Sequence, residues 1–275
     1  MIEQFHRPRT VREALALKTR YRNRAAFLAG GTYLNSNESA DPPSHCISLA
    51  ALPLDRVKVE PARFTIGALC TLQQLIDDRK LPAALKEAAR QVVSRNVRNM
   101  ATIGGHVALN PSYSDLLPTL VVLDAKVGVA GRGATKLVPI ADFIAKPTVG
   151  LITGIVVPKP APRRAFACRN FRTSANAHSM VAAAVSLSLG AKAVMQPIIA
   201  LAGASKHVVR LSAVEKALDG RPLPTSEDVQ ALVSRSLRVT GVGGTAPSAA
   251  LLKHEAGAVV ALALEAAGRD KRGGR

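Results

Sequence analysis

The chain has 275 residues, 48% of them hydrophobic and 20% charged, with 37 Lys and Arg set against 19 Asp and Glu for a formal charge of +18. That apolar share excludes a wholly disordered basic chain, and the length suits one large domain or two small ones. Aromatics at 3%, with no tryptophan, leave few platforms for stacked bases, so a nucleic-acid interface is not expected; the charge reads either as an ordinary Arg-rich surface or as one that attracts phosphate or an acidic partner.

In chain order, the N-terminal stretch Met1 to Pro8 has no apolar core of the kind a secretory signal needs. Thr10-Val11-Arg12-Glu13 has the capping-box pattern, and Val11, Ala14, Leu15 and Leu17 predict a short amphipathic helix ending before Asn23. Ala25 to Ala29 reads as a buried strand stopped by Gly30-Gly31, and Ile47 to Leu49 as another. Arg56 to Val59 and Arg63 to Gly67 predict a hairpin. Leu72, Leu75 and Ile76 mark one helix, and Leu81, Leu85, Ala88, Ala89 and Val92 a second. Asn96 to Asp124 is poor in charge and rich in Gly, Ser, Thr and Pro. Lys126 to Ala130 and Thr135 to Val138 flank Gly131-Arg132-Gly133 as a second hairpin, and Leu151 to Val157 is a further strand.

Three prolines between Pro158 and Pro162 cannot continue a helix or a central strand and mark a boundary. Beyond it, Met180 to Leu189 and Gln196 to Ala204 read as strands, and Val208 to Leu218, Ser226 to Leu237 and Ser248 to Ala267 as helices. The basic run Arg269 to Arg275 reads as a frayed tail. The expected class is α+β, with domains at 1–160, divided near 55, and 163–275. No stretch approaches the roughly 20 apolar residues of a membrane span. Cys46, Cys70 and Cys168 are too scattered for a disulfide framework, a zinc site or an iron–sulfur cluster. A cytoplasmic, metal-free chain is expected.

Two glycine pairs carry the chemistry. In Phe27-Leu28-Ala29-Gly30-Gly31-Thr32-Tyr33-Leu34 a strand runs into paired glycines, a turn that can present successive backbone N–H groups to an anion. Taken alone, such a turn is also an ordinary tight turn, and it matches neither the Gly-x-Gly-x-x-Gly nor the Walker pattern. The second pair sits in Thr102-Ile103-Gly104-Gly105-His106, followed by Ser114-Asp115-Leu116-Leu117. Two readings stand for Asp115: an acceptor for ribose hydroxyls, or the N-cap of a helix at Leu116.

The set Ala29-Gly30-Gly31-Thr32, then Arg98-Asn99-x-Ala101-Thr102-Ile103-Gly104-Gly105, then Ser114-Asp115-Leu116-x-Pro118 resembles the FAD-binding subunit or domain of molybdenum hydroxylases, the xanthine dehydrogenase and carbon monoxide dehydrogenase group. The likeness covers nearly the whole chain, and Met1 to Phe5 with Arg7-Pro8 is especially similar to small bacterial subunits of the xanthine dehydrogenase type. The resemblance implies a two-part PCMH-type FAD-binding domain followed by a smaller α+β domain of a few antiparallel strands and helices. It implies that Phe27, Leu28, Ala29, Gly30, Gly31, Thr32, Tyr33 and Leu34 wrap the FAD pyrophosphate. Thr102, Ile103, Gly104 and Gly105 would touch the diphosphate and ribitol, and Ser114 and Asp115 the adenosine half. Ile152, or its neighbour Leu151, would pack near the isoalloxazine, with Arg169 a basic residue by the ring or a solvated arginine. His106 stands where the family has Asn or Asp, and Tyr33 where it has Asp or Asn; His106 reads as a flavin contact or a structural residue.

The resemblance further implies a heteromeric enzyme. A molybdopterin-binding large subunit oxidises the substrate, a 2Fe-2S small subunit relays electrons, and FAD delivers them to NAD or another acceptor. The alternatives are a stand-alone flavoprotein oxidoreductase and a flavin-free scaffold subunit.

Overall fold

The computed structural model describes residues 2–36, 43–92, 94–131, 133–175, 177–190, 193–240 and 247–270. Arg132 of the second hairpin turn and the end of the basic tail, residues 271–275, lie outside that set. In chain order the first elements are β1 (Gln4–His6), α1 (Val11–Tyr21), β2 (Ala25–Leu28), β3 (His45–Ser48), β4 (Val57–Val59), β5 (Arg63–Gly67), α2 (Leu72–Asp77) and α3 (Ala83–Gln91). Next come α4 (Arg95–Met100), α5 (Ile103–Leu109), α6 (Leu117–Val122), β6 (Lys126–Ala130), β7 (Lys136–Pro139), α7 (Ile140–Ala145) and β8 (Leu151–Pro158). The last are β9 (Arg164–Phe171), β10 (Val181–Leu189), β11 (Val194–Ala202), β12 (Val209–Arg210), α8 (Ser212–Leu218), α9 (Ser226–Ser236) and α10 (Ala249–Asp270). The protein is thus α+β. Among the described residues no helix is long and apolar enough to cross a membrane.

The chain forms two compact units interleaved in sequence. The first takes Met1–Lys80, Ser94–Leu109 and Ala125–Pro158; the second takes Leu81–Val93, Asn110–Asp124 and Lys159–Arg275. The low-charge stretch after Asn96 is mostly helical, and its three short helices are shared between the units.

In the first unit, β1, β3 and β2 form a parallel sheet in that order, with Ala25 opposite His45 and Phe27 opposite Ile47. Helix α1 is the crossover between β1 and β2. Thr10 Oγ1 accepts the Glu13 N–H at 3.1 Å, as the capping pattern predicts. The Glu13 carboxylate reaches one residue further back than a capping box requires, to the Arg9 N–H at 2.8 Å. Ala14, Ala25, Ile47, Leu49, Leu52 and Leu151 make a small buried cluster around this layer. His6 and His45 share a 3.2 Å hydrogen bond and stack with Tyr21, tying β1, β3 and the end of α1 together. A five-stranded antiparallel sheet, β4-β5-β8-β6-β7, completes the unit. Both hairpins expected from sequence are in it, with Val57 opposite Ile66 and Val127 opposite Val138.

The second unit is built on the antiparallel sheet β12-β11-β10-β9. Its inward residues are small, including Ala165, Ala167, Ala183 and Val185, so α10 lies close on the sheet. At about 1.5 Å per residue, the 22 residues of α10 extend about 33 Å. Where α9 crosses it, a Cβ at Gly257 would come within 2.9 Å of the Gln230 Cα. On α8, Glu215 is buried, 7% exposed, and accepts the Ile199 N–H at 2.8 Å and the Arg210 Nε–H at 2.8 Å.

Replacing Glu215 by Ala leaves the Ile199 N–H with no acceptor inside the sheet. Urea unfolding is expected to show a loss of about 2 kcal/mol. Glu215→Gln, which keeps an acceptor for Ile199, should lose less.

Candidate functional site

The first unit holds a cleft of about 1260 Å³. This exceeds the roughly 300–1,000 Å³ of ordinary small-molecule pockets, leaving room for a dinucleotide. Its walls come from α1, the end of β2, the chain after β5, α5, the loop after β6 and the loop leading into β8. Phe27, Ala29, Gly104, Gly105 and Ile152, all expected site residues, line it together, with Leu151 beside Ile152.

The turn after Ala29 follows directly from β2. Gly31 has φ +71°, a conformation that glycine adopts without steric cost. The turn closes through the Asn35 N–H on the Gly31 carbonyl at 3.1 Å. Among the described residues, the backbone N–H groups of Gly30, Gly31, Thr32 and Leu34 donate to no protein acceptor. Uncommitted donors in a glycine-containing turn are groups that can bind an anion. Leu28 and Gly30 to Leu34 are not themselves part of the cleft wall; they continue the chain from it. Thr32 and Tyr33 are exposed.

The second glycine pair is arranged differently. The sequence suggests a turn, but Gly104 and Gly105 lie in the first turn of α5. Their N–H groups are already committed: Ile103 to the Cys70 carbonyl at 2.9 Å, Gly104 to the Ala68 carbonyl at 2.9 Å, and Gly105 to Thr102 Oγ1 at 3.1 Å. The His106 N–H bonds the Thr102 carbonyl, and His106 is half-buried. Here the missing side chains create clearance. A Cβ on Gly104 would stand 2.6 Å from the Ala68 Cβ, whereas one on Gly105 would meet only Thr102 Oγ1, at 3.0 Å. Gly104 therefore lets α5 pack inward, and Gly105 keeps the cleft wall open.

The two glycine loops are locked to each other. A Cβ on Gly30 would stand 1.8 Å from the Met100 carbonyl oxygen and 2.6 Å from its carbon. The space that the sequence suggests for a ligand beside Gly30 is filled by the protein's own backbone, two residues before Thr102.

Ser114, Asp115 and Arg169 belong to the second unit. Ser114 Oγ accepts the N–H groups of Leu116 and Leu117 at 3.1 and 2.9 Å, so the capping role considered for Asp115 is played by its neighbour. Asp115 is 6% exposed and is surrounded by donors: Ser179 Oγ at 2.5 Å, Asn170 Nδ2 at 2.8 Å and Arg172 Nη2 at 3.1 Å. Burial raises its carboxyl above the ordinary value, against the pull of these donors. Arg169 pairs with Glu87 at 3.1 Å and is partly solvated. The sequence reading passed over Arg12, Lys18 and Arg22, which also line the cleft. The available signal was the helical spacing of Arg12 and Lys18 on one face of α1, with Arg22 directly after the helix.

A family model described as the FAD binding domain in molybdopterin dehydrogenase matches residues 1–160, and one described as the CO dehydrogenase flavoprotein C-terminal domain matches residues 166–250. The chain belongs to this family of FAD-binding subunits of molybdenum hydroxylases, and its cofactor is FAD. It is 39% identical over 253 residues to the uncharacterized protein YgfM of Escherichia coli (strain K12), covering 88% of this chain and 93% of that one. The carbon monoxide dehydrogenase medium chain of Afipia carboxidovorans is 28% identical over 207 residues, 70% of this chain and 72% of that one. A solved structure of carbon monoxide dehydrogenase from Hydrogenophaga pseudoflava, lacking the Mo-pyranopterin moiety of its molybdenum cofactor, contains a similar chain. The TM-score is 0.89 at 26% identity, covering 98% of both chains.

Two predictions follow from this geometry. Gly30→Ala places a methyl group against a backbone carbonyl that cannot turn aside, so little folded protein is expected by circular dichroism. Gly31→Ala meets the left-handed penalty of about 1–2 kcal/mol and the movable Asn35 side chain, whose Nδ2 would be 3.0 Å from the new Cβ, and should fold with a lowered urea midpoint. For Asp115 the raised carboxyl makes the ionised form the costlier one in the folded state. Its contribution to stability therefore falls as pH rises from the ordinary carboxylate value to the raised one. Asp115→Asn, measured against wild type across that range, should remove this slope. At neutral pH it should also lose about 2 kcal/mol, because an amide N–H then faces donors.

Proposed function

We propose that the chain is the electron-transfer subunit of a xanthine dehydrogenase-like molybdenum hydroxylase. FAD is held in the cleft of the first unit. A 2Fe-2S small subunit passes to it the electrons that a molybdopterin-binding large subunit takes from substrate, and NAD or another acceptor receives them in the cytoplasm. Bound FAD supplies the chemistry, since a flavin exchanges electrons singly or as a pair. The observation that carries this reading is the set of free N–H groups at Gly30, Gly31, Thr32 and Leu34, directly after the cleft-lining Ala29.

The protein's own residues bind and orient. The Phe27 to Leu34 segment donates to the pyrophosphate. Gly105 gives clearance for the chain between phosphate and ring, while Thr102, Ile103 and Gly104 fix the helix that presents it and His106 stands beside that stretch. The apolar walls, with Phe27, Leu69, Phe143 and Ile152, suit a flat ring and exclude water. Ser114, Asp115 and Arg169 are assigned to the adenosine and ring ends on the family likeness. Residues 1–160, divided near 55, would form the FAD-holding part, with 163–275 as the C-terminal domain.

Purified protein is expected to be yellow and to release FAD on denaturation; a colourless protein that takes up no added FAD would overturn the assignment. Gly105→Leu tests the clearance. The variant should keep its secondary structure and urea midpoint close to wild type, yet lose FAD affinity by about 100-fold or more, by fluorescence titration.

A further inference from the structure

The cleft has a second polar end. Its lining on α1 includes Arg12, Leu15, Lys18 and Thr19, which lie along one face of the helix, with Arg22 and Asn23 just beyond its end. At 1.5 Å per residue α1 extends about 15 Å from Val11 to Tyr21, and Arg22 follows directly after its last turn. As the crossover between parallel strands, α1 runs against their direction. Its first turn lies at the end of the sheet where β2 enters the glycine turn, and its last turn lies at the opposite end. The Lys18 Nζ bond to the Ala25 carbonyl, 2.6 Å, fixes this orientation, because Ala25 begins β2.

The charge on this wall has one sign. Arg12, Lys18 and Arg22 line the cleft, and among the described lining residues there is no Asp or Glu. The Arg12 and Arg22 side chains are exposed and form no ion pair with the described residues. Arg22 is also held in an unusual backbone conformation, φ 48° and ψ −120°. Its carbonyl accepts Lys18 Nζ at 2.9 Å and its N–H returns to the Lys18 carbonyl. Lys18 is thus occupied in clamping the turn, and burial lowers its pKa. Strain maintained by a dedicated clamp at the rim of a cleft points to a positioned side chain, here the Arg22 guanidinium.

The pyrophosphate of FAD carries its negative charge at one place, and the glycine turn already meets it. Three cations that reach about 15 Å to the opposite end attract a second anion. Resting on the assignment of FAD to this cleft, we propose that the Lys18–Asn23 end is a separate anion subsite that receives the diphosphate of a nucleotide electron acceptor. Arg22 is the residue that selects a phosphate-bearing acceptor over an uncharged one.

The test uses FAD-loaded full-length protein with ADP-ribose as a redox-inert probe and adenosine as the phosphate-free control, followed by calorimetry. ADP-ribose should bind saturably and more weakly as salt rises, and adenosine should not bind. Arg22→Gln should weaken ADP-ribose by about 10- to 100-fold while flavin absorbance stays at the wild-type level, and Arg22→Lys should recover part of the loss. Equal binding of adenosine and ADP-ribose, or no binding by protein carrying its full complement of FAD, would overturn the subsite. Loss of flavin from Arg22→Gln would also overturn it, by giving this end to FAD itself. Flavin content in each sample reports on the FAD assignment independently of the calorimetry, so the two failures are distinct.

Discussion

The approach of Gly30 to the Met100 carbonyl is the constraint on which the arrangement of the two glycine loops depends. A hydrogen at that position is the only substituent the neighbouring backbone tolerates, since even a methyl carbon would lie inside the carbonyl's van der Waals radius. The contact brings two segments about seventy residues apart in sequence into direct backbone apposition. On one side the chain goes on to the turn with free donors; on the other it goes on through Thr102 into α5. Position and orientation of both walls are set before any ligand arrives, which is the preorganisation that makes binding of a large cofactor affordable in entropy.

The two glycine pairs look alike in sequence and do opposite things with their backbones. In the first, hydrogen-bonding capacity is left unused and is directed to no protein group. In the second, every N–H from Ile103 to His106 has an acceptor within the unit, and only shape remains on offer. The first loop thus keeps donors that could meet an anion, whereas the second has none to offer. Thr102 shows how tightly the second loop is organised: its hydroxyl takes the Gly105 N–H and its carbonyl the His106 N–H, so a single buried residue fixes the start of the helix.

Much of this was legible in the sequence. The cap at Thr10, both hairpins, the strand before the glycine turn and the helices that follow the C-terminal strands carry local signals, and the structure has them. Strand β1 carries none, since three mostly exposed residues pair with a strand forty residues away. Strand β9 was hidden for a different reason: it opens directly from a proline- and arginine-rich stretch, and small residues such as Ala165 and Ala167 bury their faces without a marked hydrophobic alternation. The helical setting of Gly104 was masked by the low helix propensity of two adjacent glycines, which the packing on Ala68 overrides. At the site, glycine spacing located the loops but could not tell a donor loop from a clearance loop, because that depends on where distant carbonyls fall. The donors around Asp115 come from a strand and loop more than fifty residues later, and no local pattern announces them.

The interleaving of the two units bears on how this chain can be divided. The proline-rich stretch after β8 looks like a natural place for a break, yet residues 81–93 and 110–124 precede it and belong to the unit that follows it. A cut there would leave the Asp115 carboxylate on one fragment and Asn170, Arg172 and Ser179 on the other, together with the ion pair between Glu87 and Arg169. The first unit would stay whole on the N-terminal fragment, while the second would lose residues 81–93 and 110–124. The second unit is therefore completed only by chain that is synthesised within the span of the first.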